Sequence, residues 1–141
     1  MTGLLLLASF LYTQGSAQDH PASELVGRWR GTSVCTKADW NSACHDETVV
    51  YECSQGAAPG QVLLRAFKIV QGKPEFMGDL TFSWDDRLRA WVASFANERV
   101  HLRVTLEPKG DTLEGRMILL PEMRVGRQMH VTRDRTTPTQ R

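Results

Sequence analysis

Most connections between Leu25 and Arg133 are too tight to hold a helix, and this limits the fold more than any other feature of the chain. "QGAAP", "QGKPE", "DDRLR", "EPKGD" and "PEM" are short and rich in Gly, Pro and Asp, the residues that reverse a backbone. The runs between them carry β patterning, and none sustains helical periodicity over three turns. Parallel strands need crossovers of a dozen or more residues, usually helical, so a parallel α/β sheet is excluded.

The pattern predicts strands over Leu25–Val34, Glu47–Ser54, Gln61–Val70, Phe76–Trp84, Ala90–Ala96, Arg99–Leu106, Thr112–Leu120 and Arg124–Arg133. Two of these declare their faces. In Arg99–Leu106, alternation puts Val100, Leu102, Val104 and Leu106 on a dry side, with Arg99, His101, Arg103 and Thr105 opposite. In Phe76–Trp84 it groups Phe76, Leu80, Phe82 and Trp84 against Asp79, Thr81 and Ser83. "VLLRAFKIV" is apolar on both faces and declares nothing. Eight antiparallel strands joined in order by tight turns predict an all-β protein, a small up-and-down barrel whose closure removes sheet edges. A β-sandwich is the alternative; it calls for long Greek-key connections, which the sequence lacks.

The chain has 141 residues, enough for one domain. "MTGLLLLASFLYTQGSAQDH" has the outline of a signal peptide: a short leucine-rich run, then small residues ending at Ala17. It lacks a basic residue before the leucines. The expected organisation is a leader at 1–17, one barrel at 18–134 and a flexible basic tail at 135–141, in a protein bound for the periplasm or secreted. No later run approaches the ~20 apolar residues of a membrane helix. Seventeen basic and sixteen acidic residues leave a net charge of +1, which gives no general attraction to nucleic acid or membrane. The arginines Arg124, Arg127, Arg133, Arg135 and Arg141 face only Asp134 near the C-terminus, so an anionic surface polymer is a further conceivable contact.

Cys35, Cys44 and Cys53 in an oxidising compartment point to one disulfide and one free thiol. Cys35 and Cys44 flank the turn-rich "TKADWNSA" and are the expected pair, a closure worth ~2–3 kcal/mol in the chain-entropy model. Cys35–Cys53 is the alternative pairing. With Cys35–Cys44 paired, Cys53 is a small apolar residue inside a strand.

The first strand opens on Gly27-Arg28-Trp29-Arg30-Gly31, where glycines on both sides of an indole admit a close second backbone. Gly27-Arg28-Trp29 resembles the first-strand Gly-x-Trp of the superfamily that includes lipocalins, avidins and fatty-acid-binding proteins. The resemblance implies that Trp29 closes one end of the barrel against an arginine of the last strand, with Arg133 best placed and Arg127 second. Both arginines share a face with Val125, Met129 and Val131, the expected inward one. A closer likeness is to small exported bacterial proteins with a "WRGTS-C" opening, a "C-x-D-E" element and an "IVQGKPEFMG"-like hairpin. That likeness carries no activity with it.

Little in the sequence suggests catalysis. Cys44-His45-Asp46-Glu47 gathers metal-ligating groups, but neighbours in an extended chain point to opposite faces, and the expected role is a loop end bonding backbone amides. Asp85-Asp86 reads as a turn. There is no nucleophile elbow and no phosphate loop, so neither an enzyme nor a cofactor is expected. Three functions remain: a carrier of one small apolar ligand inside the barrel, an envelope inhibitor of protease or lysozyme type, or a structural envelope protein whose basic C-terminal edge meets anionic surface polymers. The second would present Lys37, Asp39 and Trp40 on the cysteine-flanked loop.

Overall fold

The computed structural model describes residues 20–36 and 43–136. The expected leader, the loop residues Lys37, Asp39 and Trp40, and the tail beyond Thr136 lie outside the described residues. The described chain is a closed barrel of eight antiparallel strands, each paired with the next and β8 with β1. They are β1 (Gly27–Cys35), β2 (Glu47–Gln55), β3 (Val62–Val70), β4 (Lys73–Asp85), β5 (Ala90–Ala96), β6 (His101–Lys109), β7 (Thr112–Leu119) and β8 (Arg124–Arg133). The sandwich alternative does not occur. A single 3₁₀ turn, Ala22–Glu24, precedes β1 and takes Leu25 out of the expected first strand.

Alternation sends one side of each strand into a common core. Trp29, Val49, Tyr51, Val62, Leu64, Phe82, Trp91, Leu106, Leu113 and Val131 meet there, all buried. In "VLLRAFKIV", Val62 and Leu64 face inward and Arg65 outward, a register that its apolar composition hides. On β6, Val104 and Leu106 take the dry side as expected. Val100 instead falls in the preceding turn, where Asn97 Oδ1 accepts hydrogen bonds from the amides of Arg99 and Val100 at 2.8 and 2.9 Å.

The grouping of Phe76 with Leu80, Phe82 and Trp84 is corrected. Ala66 pairs with Gly78 and Phe67 with Phe76, which leaves Met77 as an extra residue in β4. Such a bulge reverses the alternation beyond it. Phe76 therefore lies on the outer surface, 55% exposed, against Phe67 at a ring separation of 5.8 Å and beneath Arg65. Nearby, β4 meets β5 over three residue pairs only, Ser83–Val92 to Asp85–Ala90. It is the shortest seam of the barrel, and Met77 and Phe95 are exposed on the strands that extend past it.

Candidate functional site

The two ends of the barrel interior are built differently. At one end, Trp29 is fully buried and its indole Nε1 donates to Leu25 O at 2.9 Å. The Arg133 guanidinium lies 4.2 Å from the centre of the Trp29 ring. Its Nη1 and Nη2 donate to Val26 O and Glu24 O, each at 2.9 Å. Those carbonyls belong to the 3₁₀ turn and its exit, so the arginine ties the N-terminal segment to the last strand. A cation stacked on a desolvated indole adds ~2 kcal/mol or more.

The flanking glycines account for the closeness. A Cβ on Gly31 would stand 2.0 Å from His130 O, and one on Gly27 would stand 2.7 Å from Arg133 Nη1. Trp84 and Trp91 complete this end, edge to face at 5.8 Å, with His20 stacked on Trp84 at 3.5 Å and paired to Glu24. Trp91 Nε1 also donates to Glu24 Oε2 at 3.3 Å.

Toward the other end the aromatic filling stops. A cavity of about 180 Å³ opens there, walled by Leu64, Ala66, Met77, Leu80, Phe82, Val104, Leu106, Met117 and Met129. Its polar members are Ser33, Glu47, Tyr51 and Arg127. Arg127, expected as the second candidate against Trp29, belongs here instead. Its Nη1 donates to Ser33 Oγ at 3.0 Å and stands 3.5 Å from Glu47 Oε2, and its Nη2 donates to His45 O at 3.1 Å. Register explains the division: Trp29 pairs with Arg133, whereas Cys35 at the far end of β1 pairs with Arg127. Tyr51 is the cross-strand partner of Trp29. It is buried, and desolvation raises its pKa above the ordinary 10.0, opposed by Arg127 and reinforced by Glu47.

Ser33, Glu47 and Tyr51 were not singled out as a cavity-lining group by sequence reasoning. The available signal was polar residues at inward positions: Ser33 in step with Trp29 and Gly31, and Tyr51 in step with Val49 and Cys53.

Cys35 and Cys44 form the disulfide, with Cα atoms 6.1 Å apart. Beside it, Asp46 Oδ1 accepts a hydrogen bond from the Cys35 amide at 2.9 Å, and the amide of Thr36 donates to Gly126 O at 3.1 Å. Both ends of the loop are thus anchored, while Lys37, Asp39 and Trp40 between them lie outside the described residues. No group of three His, Cys, Asp or Glu side chains that could hold a metal exists among the described residues. Cys53 is the free cysteine, buried. Desolvation pushes its thiol up to about 12, against a smaller opposing pull from Arg133, so it is not a thiolate nucleophile near neutral pH. Asp85 acts in its turn, its Oδ1 accepting the amides of Arg87 and Leu88, both at 2.9 Å.

Among the described residues, no helix is long and apolar enough to cross a membrane. No protein-family model matches the chain, and no curated protein matches it either.

Proposed function

We propose that this is an exported, non-enzymatic binding protein that carries one small apolar ligand inside the barrel. The observation that carries this reading is the cavity walled by Leu64, Leu80, Phe82, Leu106, Met117 and Met129 beside Arg127. Its volume decides the size of the ligand. A dry cavity of ~150 Å³ takes benzene, and drug-sized ligands occupy ~300–1,000 Å³. A space of about 180 Å³ therefore suits a single ring or a short chain and excludes retinoids and long acyl chains.

The Cys35–Cys44 disulfide supports export, because such bonds persist in oxidising compartments. Trp29 and Arg133 act as the end plug in this reading, in line with the lipocalin and avidin resemblance, and the stretch of β4 beyond its short pairing with β5, where Met77 lines the cavity, offers a way in.

Toluene titrated into the purified protein should bind saturably at sub-millimolar concentration, measured by calorimetry. Ala66→Phe, which places a ring inside the cavity, should abolish the binding with little loss of fold. Absence of saturable binding of both toluene and its hydroxylated analogue p-cresol to the unaltered protein would remove the carrier reading. A second reading, an envelope inhibitor of protease or lysozyme type, draws on the anchoring of the Cys35–Cys44 loop at both ends. Direct enzyme-inhibition assays with and without Trp40→Ala separate it from the first.

A further inference from the structure

Tyr51 brings to the cavity a hydroxyl that bonds no described residue. The residue is 7% exposed and lines the cavity. The oxygen is accessible from the cavity, so a guest that fills the space and seals it from solvent must itself supply the acceptor that a buried hydroxyl normally finds. Burial also keeps the phenol protonated, so it is a neutral O–H donor at physiological pH.

The charges around it are already matched. Arg127 is held by Glu47, by Ser33 Oγ and by the His45 carbonyl. A carboxylate entering the cavity would meet a guanidinium that is neutralised and a Glu47 that repels it. A purely apolar guest would leave Tyr51 unmet. Resting on the carrier reading above, we infer that the cavity selects a neutral amphiphile: one ring or a short chain bearing a single hydroxyl or carbonyl oxygen that accepts a hydrogen bond from Tyr51 Oη. The apolar body packs on Leu64, Leu106, Met117 and Met129. The polar group sets the preference, since a site built to bond an oxygen disfavours the analogue lacking it.

Calorimetric titration of the full chain with p-cresol, toluene and benzoate tests this. p-Cresol should bind about tenfold more tightly than either toluene or benzoate, the equivalent of ~1.4 kcal/mol. Tyr51→Phe keeps the ring and removes the donor, so it should erase the advantage over toluene, weakening p-cresol binding and leaving toluene bound at least as tightly as by the unaltered chain. Equal binding of toluene and p-cresol, tightest binding of benzoate, or a preference that survives Tyr51→Phe would overturn the inference and leave the carrier reading standing. Binding of none of the three removes the carrier reading and the inference with it. If Tyr51→Phe does not fold, as judged by its melting curve, the three titrations of the unaltered chain decide.

Discussion

Arg133 and Arg127 occupy the same strand and both reach into the barrel, yet they are wired to opposite purposes. Arg133 gives both Nη groups to backbone carbonyls and its face to Trp29, in an end filled by Leu25, Trp29 and Trp91, and only its Nε turns outward, 3.6 Å from the exposed Asp111 carboxylate. Arg127 is matched by a carboxylate, a hydroxyl and a carbonyl beside open apolar space. Backbone carbonyls cannot move aside without unfolding the segment that bears them. A glutamate and a serine can rearrange. An inward arginine in a small barrel is therefore read by its partners and by the space next to it.

The largest consequence falls at the filled end. Trp29→Ala should cost ~3–5 kcal/mol, the range for emptying a buried aromatic site, and lower the thermal midpoint by roughly 10–20 °C. Next comes the pair of arginines. Arg133→Met strands the carbonyls of Glu24 and Val26 and should cost ~2–3 kcal/mol. The double change Arg127→Met with Glu47→Gln removes an ion pair without stranding a charge and should shift stability by only ~1 kcal/mol. Denaturant unfolding of the two variants side by side checks the ranking; equal losses would dissolve the distinction between the ends.

The smallest effect concerns pH. The Cys53 thiol is raised from 9.0 to about 12 in the folded chain, so folding favours its neutral form. That contribution is complete below pH 9 and is lost as the pH climbs from 9 toward 12. Tyr51, raised in the same direction, adds its own loss above pH 10. The melting temperature should therefore decline on the alkaline side, and Cys53→Ala should flatten the first part of that decline.

Strand order, closure and the cysteine pair were legible in the sequence because they rest on local signals. Turn residues mark every reversal, and period-2 runs such as Leu102-Arg103-Val104-Thr105-Leu106 mark the faces. The β4 bulge was not legible, since the extra residue at Met77 is defined only by its pairing with Ala66 and Phe67. The cavity was hidden for a related reason. Counting aromatics suggests a filled interior, but Phe76 lies on the outer surface and Phe95 is exposed, so neither fills space inside. Arg127 could be placed on the inward face by alternation. Its partnership with Glu47 and Ser33 depends on stagger between β1, β2 and β8, and strand patterns carry no stagger.

The most direct test of a barrel filled at one end and receptive at the other is an NMR titration with toluene, following methyl and indole signals. Leu64, Leu106, Met117 and Met129 should shift together and saturate, while Leu25 and the Trp29 indole stay fixed. Shifts at Leu25 and Trp29, with the four cavity residues unmoved, would contradict it.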